Sequence, residues 1–261
     1  MAGPHLEIEA KLAVTSDAPR VVADGIAALE SLGNWTLRER NPVSVRDVYV
    51  DAPNLSLEVN GVALRLRLVE DRYVITLKGP ETRIGDVLQR EELEREFSLE
   101  TLDLIRSRLV DWGIHLNKPP SFGGETEPSA AIANWGLVAV QDRETFRRCK
   151  DVVRGSPDGA VAAELAVDEV VYRIGGRRVG HHEVEIELCG SERTAVLADI
   201  VAGLRGRWPV LAVWPHSKYA TGKALEALLA VPQPTLEISE SGDLLPAGYA
   251  RVERWLGGGR R

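Results

Sequence analysis

Residues 6–14 read Leu6-Glu7-Ile8-Glu9-Ala10-Lys11-Leu12-Ala13-Val14, with Leu6, Ile8, Ala10 and Leu12 on one face and Glu7, Glu9 and Lys11 on the other. Period-two alternation predicts a strand with one face in an apolar core. The same arrangement returns along the chain. Arg65 and Arg67 alternate with Leu64, Leu66 and Leu68, and Lys78 shares a face with Thr76. Arg90, Glu92 and Glu94 stand opposite Leu93, and Glu164 and Asp168 opposite Leu165 and Val167. Glu183, Glu185 and Glu187 alternate with Val184, Ile186 and Leu188. Any one of these segments alone reads as a half-buried strand with its charges in water. Together they resist that reading, because like charges repeat at i, i+2 and the signs segregate by strand. Such ridges repel themselves and need a counter-charge or a ligand. A closed sheet supplies the setting, with apolar faces outward under helices and charged faces lining a wet interior. Carboxylates there suit hard divalent cations, and Arg and Lys suit phosphate oxygens. With no His or Cys among the carboxylates, Mg²⁺ or Mn²⁺ is favoured over zinc. The implied ligand is a polyanion carrying metal.

Around these segments the spacing predicts helices at residues 19–33, 98–113, 191–205 and 219–230, with a short one at 245–256. Further strands are expected at 43–50, 55–59, 62–68, 73–78, 87–97, 137–147, 160–172 and 179–188. Asn60-Gly61 is read as a turn joining two paired strands, and residues 117–130 as a surface loop. The order β, α, several β, α, several β, α, α predicts an α+β fold built on a mostly antiparallel sheet of about eight strands.

Composition narrows the partners. Among 261 residues, 32 Lys+Arg face 39 Asp+Glu for a net charge of −7, which argues against a nucleic-acid binder but not against a local basic lining. Cys149 and Cys189 are isolated, without metal spacing, which suits a reducing compartment. Neither a signal peptide nor an apolar run of membrane-spanning length is apparent, so the expectation is a cytoplasmic protein with no membrane partner. His181 and His182 lack a metal-pair spacing and are expected in solvent; Tyr49 is as compatible with packing as with binding.

The charged segments resemble the signature of the CYTH superfamily, the triphosphate tunnel metalloenzymes. Glu7-Ile8-Glu9-Ala10-Lys11 matches the N-terminal ExExK strand. Asp47-Val48-Tyr49-Val50-Asp51, Leu64-Arg65-Leu66-Arg67, Thr76-Leu77-Lys78-Gly79-Pro80, Arg90-Glu91-Glu92-Leu93-Glu94, Val167-Asp168-Glu169, Glu183-Val184-Glu185-Ile186-Glu187 and Ser217-Lys218-Tyr219 follow in the family's order. The resemblance spans residues 5–225 and implies an eight-stranded antiparallel tunnel with helices outside. One departure is Gln141-Asp142-Arg143, where many relatives carry a second basic residue two positions before the arginine.

By position, the resemblance assigns Lys11, Arg65, Arg67, Lys78, Arg90, Arg143 and Lys218 to phosphate. It assigns Glu7, Glu9, Asp168, Glu183 and Glu185 to metal, with Glu92, Glu94 and Glu187 as further partners, and implies two Mg²⁺ or Mn²⁺ ions with substrate bound. Lys11 and Glu9 are the catalytic candidates, Lys11 as proton acceptor or as electrostatic ligand. The tunnel domain is expected over residues 1–230. Residues 231–261 are read as a linker and short helix, either the beginning of the helical CHAD domain some relatives carry or a plain terminal helix. The implied activity is hydrolysis of inorganic tripolyphosphate. A class IV-type adenylyl cyclase, a thiamine triphosphatase and a non-catalytic polyphosphate-binding module are the alternatives. A homodimer is compatible with all of them.

Overall fold

The computed structural model describes residues 5–116, 127–155, 158–190, 194–231 and 236–258. Strand β1 (His5–Val14) leads into helix α1 (Pro19–Ala27), the hairpin β2 (Ser31–Leu32) and β3 (Trp35–Glu39), then β4 (Val43–Asp51) and the single turn α2 (Ser56–Val59). Next come β5 (Ala63–Val69), β6 (Arg72–Lys78), β7 (Thr82–Ile84), β8 (Val87–Glu96), α3 (Leu99–Asp111) and α4 (Pro128–Asn134). Three long strands follow, β9 (Val138–Arg154), β10 (Val161–Ile174) and β11 (Arg177–Leu188). The chain then runs through α5 (Ala195–Arg207), β12 (Leu211–Val213), α6 (Lys218–Leu229) and α7 (Pro246–Gly257). The hydrogen-bonded strand order β10-β11-β1-β8-β6-β5-β4-β9 returns to β10, so the ladder is that of the expected eight-stranded antiparallel barrel in an α+β chain. No helix among the described residues is long and apolar enough to cross a membrane.

The chain divides into two compact units. In the first (residues 1–7, 45–82 and 89–142), α3 and α4 cover one face of β4, β5, β6 and β8. Leu102, Ile105, Leu109, Ile132 and Trp135 meet Val50, Leu64, Ile75, Leu77 and Leu93 there. Burying each Leu or Ile stabilises by about 1.5–3 kcal/mol. Helix α3 starts as its sequence predicts, with the Ser98 hydroxyl accepting from the Thr101 N–H.

The second unit (residues 8–44, 83–88 and 143–261) packs α1 and α5 on the apolar face of β1, β10 and β11 through Ile26, Leu197, Ile200 and Leu204. The opposite, charged face of β10 and β11 turns apolar just past its last acids. Val170 and Tyr172 follow Asp168, and Val179 precedes His181 and Glu183. Helices α6 and α7 close over that apolar stretch with Leu225, Tyr249 and Val252, joined by Trp214 just after β12. This capping is what buries the charged groups beside it. The tail is tied on by backbone bonds, Gly180 N–H to Gly242 O and Leu244 N–H to Gly180 O, both 2.8 Å.

Several local expectations are corrected. The first helix ends at Ala27, and Gly33, with φ 58°, turns the β2–β3 hairpin instead of stopping a helix. Residues 55–59 are not a strand: the Asp51 carboxylate accepts from the Leu57 and Glu58 N–H groups, each at 2.9 Å, and nucleates α2. Residues 128–134 are helical, with Glu127 accepting from the Ser129 N–H. The strand expected to end at 147 runs to Arg154 because its last residues pair with both β3 and β10. Residues 117–126, the Ser191 cap and the prolines of 232–235 lie outside the described residues.

Candidate functional site

In the second unit, neighbouring strands place Asp168 of β10 in register with Glu183 of β11, and Lys11 of β1 in register with Glu185. Asp168, Glu183 and Glu185 bring one carboxylate oxygen each within 4.8 Å of one another, the one such group of potential metal ligands among the described residues. Asp168 and Glu183 are fully buried. Cations meet them. Lys218 Nζ lies 2.9 Å from Asp168 Oδ2 and 2.6 Å from Glu185 Oε1, and also contacts Glu183 Oε1. Lys218 is set in place by its backbone: Ser217 caps α6, and the Tyr172 hydroxyl donates to the Lys218 carbonyl at 2.8 Å.

Lys11 Nζ sits 2.9 Å from Glu9 and 3.5 Å from Glu185. Arg147 grips Asp168 with two hydrogen bonds, 2.8 and 2.6 Å, and reaches Glu185 with the same Nη2. Burial works against ionising these acids, but Arg147 and Lys218 outweigh it at Asp168, and Lys218, Lys11 and Arg147 at Glu185; both carboxyls fall below their ordinary range. Burial likewise opposes the charge on Lys218, and Asp168, Glu183 and Glu185 reverse that and raise its pKa.

The donor set fits a hard divalent cation: three carboxylates, all oxygen, from two adjacent strands. Glu183 Oε1 is buried against the Lys218 ammonium, in the place a divalent cation would share. Glu187 lies in register with Glu9 and with Glu164, and Arg143 is buried on β9 on the same face as Arg147.

The first unit gathers the remaining candidates. Lys78 Nζ bonds both oxygens of Glu7, at 2.8 and 3.1 Å, and Glu92 at 3.0 Å; Arg90 Nε donates to Glu7 at 2.6 Å. Arg65 Nη2 donates to Thr76 and Glu94, both at 3.0 Å, and Arg67 Nε and Nη2 hold Asp47 at 2.7 and 3.1 Å. Burial would push Glu94 up, yet Arg65 and Arg67 hold it below the usual range. Within each unit, therefore, the signs interleave instead of forming separate acidic and basic walls. Dehydrated charges need partners at hydrogen-bond distance, and the neighbouring strands provide them.

Three residues escaped the sequence reading. Arg147 is the extra cation on β9, four positions after Arg143 and not two before it. His181 and His182 are buried, not solvated. His181 Nε2 lies 2.7 Å from Glu183 Oε2, its Nδ1 lies 3.0 Å from the Tyr249 hydroxyl, and His182 Nε2 lies 2.9 Å from Asp243 Oδ1. The partners Tyr249 and Asp243 come from a part of the chain that the strand pattern does not mention.

A family model described as the CYTH domain matches residues 5–202. Among solved structures, a candidate adenylyl cyclase from Hippeastrum, described as having a dominant triphosphatase activity, is 18% identical with a TM-score of 0.55, covering 87% of this chain and 98% of its own. A candidate adenylate cyclase from Bacillus halodurans is 17% identical (TM-score 0.47; 83% and 96% covered). An inorganic triphosphatase is 16% identical (TM-score 0.28; 89% and 99% covered).

Proposed function

The chain belongs to the CYTH domain family, the triphosphate tunnel enzymes, and from that membership we propose that it hydrolyses inorganic tripolyphosphate to pyrophosphate and phosphate with Mg²⁺ or Mn²⁺. The observation that carries the reading is the group of buried Asp168 and Glu183 with half-buried Glu185, and Lys11, Arg147 and Lys218 against it. A metal held by those three carboxylates supplies charge neutralisation and a more acidic water. The rest falls to the chain's own side chains. Lys218 and Lys11, both ion-paired with Glu185, would take phosphate oxygens once a metal neutralised that carboxylate, as would Arg143. Arg147 keeps Asp168 and Glu185 oriented through its fork. Arg65, Arg67, Lys78 and Arg90 are further phosphate ligands, and each is held in place by a carboxylate until then. The water oxygen bonds the terminal phosphorus, the bridging P–O bond breaks, and pyrophosphate leaves. Lys11, already an ion-pair partner of Glu9, acts as a charge at that phosphorus, and Glu9 accepts the water's proton. A second ion drawing on Glu7, Glu92, Glu94 or Glu187 rests on the family resemblance alone.

The test is phosphate release from tripolyphosphate, ATP and thiamine triphosphate with each metal, with cyclic AMP measured in parallel. Turnover fastest on tripolyphosphate supports the proposal. Cyclic AMP from ATP would establish the cyclase, and tripolyphosphate binding without turnover of any substrate would leave a binding module.

A further inference from the structure

The buried acid group is braced by the C-terminal helix, which lies beyond the residues matched by the family model. Tyr249 is buried in α7, and its hydroxyl oxygen accepts from the His182 N–H at 3.1 Å. The same hydroxyl faces His181 Nδ1 at 3.0 Å and the His182 carbonyl at 3.3 Å, so its one proton has two acceptors and the nearer is the imidazole. On the other side of the ring, His181 Nε2 stands 2.7 Å from Glu183 Oε2, and a carboxylate can only accept. For a neutral His181, satisfying every atom requires the Nε2–H tautomer, with Tyr249 O–H donating to Nδ1 and Nε2–H donating to Glu183. All of these groups are buried, where an unmatched donor or acceptor costs about 1–3 kcal/mol. The arrangement leaves Glu183 Oε1 to the Lys218 ammonium, which also contacts Asp168 Oδ2 and Glu185 Oε1.

We infer that Tyr249 is a positioning residue: by donating to His181 Nδ1 it fixes the imidazole whose Nε2–H holds Glu183, and so orients the Glu183 carboxylate for a divalent cation. This rests on the metal reading of Asp168, Glu183 and Glu185. Partners of ligand side chains are commonly worth ten- to a hundred-fold in metal affinity.

The experiment compares wild type, Tyr249→Phe and Val252→Ala, the last removing apolar contact from the same helix without touching the relay. Histidine ¹⁵N spectra of the metal-free protein report the His181 tautomer, and calorimetric titration reports Mn²⁺ affinity. The expected result is an Nε2–H His181 in all three proteins, a changed Nδ1 signal in Tyr249→Phe alone, and Mn²⁺ binding weakened about ten- to a hundred-fold in Tyr249→Phe alone. An unchanged Nδ1 signal in Tyr249→Phe, or equal loss of Mn²⁺ affinity in both variants, overturns the relay. A wild type that keeps the Nε2–H tautomer but binds no Mn²⁺ overturns the metal reading and, with it, the positioning role of Tyr249.

Discussion

Lys218 Nζ stands 2.9 Å from Asp168 Oδ2 and 2.6 Å from Glu185 Oε1, so a lysine ammonium occupies ground that a divalent cation would share. Removing it leaves buried carboxylates short of counter-charge. Lys218→Ala is expected to lose about 3–5 kcal/mol of stability without metal. Added Mn²⁺ should restore part of that, since a ligand of the native state stabilises it in proportion to RT ln(1 + [L]/Kd). Urea midpoints with and without Mn²⁺ check this. A variant as stable as wild type, or one indifferent to Mn²⁺, contradicts it.

Arg65 donates one Nη2 to both Thr76 and Glu94 and is buried. Lysine keeps the charge but not the planar fork. Arg65→Lys is therefore expected to lower kcat/KM for tripolyphosphate about 10²-fold with only a small change in melting temperature. Undiminished turnover would remove Arg65 from the phosphate ligands. Glu9→Gln, which takes the charge from the partner of Lys11, should reduce kcat by at least about 10²-fold while the far-ultraviolet spectrum stays that of the wild type.

A Cβ at Gly248 would come within 2.5 Å of the Glu237 carbonyl oxygen and 2.6 Å of Leu244 Cδ1, whereas one at Gly206 meets nothing within 4 Å. Gly248→Ala should cost about 1–3 kcal/mol by forcing α7 off its seat. Gly206→Ala, on helix α5, should gain up to about 1 kcal/mol. Thermal unfolding of the pair distinguishes the tail's packing from a general intolerance of alanine.

Burial, seconded by Glu164, pushes the Cys149 thiol up to about 12. Its thiolate is thus scarce in the folded protein at pH 8, and alkylation should be slow there and accelerate as pH rises toward 12. The unfolded thiol ionises near 8.5, so this group's contribution to stability is complete below that pH and is lost as pH climbs toward the folded value. A fast alkylation of Cys149 at pH 8 in the native protein would contradict the burial.

The strands were legible in the sequence wherever one face was apolar: β1, β5 and β11 could be read from alternation alone, and with them most of the charged candidates. The sequence was less informative where a contact joins distant segments. Arg147-Arg148 puts a cation on each face of β9, and only the register with Asp168 shows that Arg147 is the one turned to the acids. Residues 55–59 looked extended because the capping group of their helical turn, Asp51, lies outside the segment. His181 and His182 looked solvated because Tyr249, which buries them, arrives nearly seventy residues later. The interleaving of signs was equally hidden, since it is a property of neighbouring strands and not of any single one.

Strand β1 is the first to be made, yet two of its ladders are with β11 at Glu183–Glu187 and with β12 at Leu211–Val213. At synthesis rates of about 5–20 residues per second, those partners emerge roughly 10–40 s after β1 does. Through that interval a segment alternating apolar and charged residues waits with one backbone edge open. The ladder around β1 is therefore completed only after β11 and β12 have been made, and until then its unpaired edge is the part of the chain most exposed to pairing with other chains.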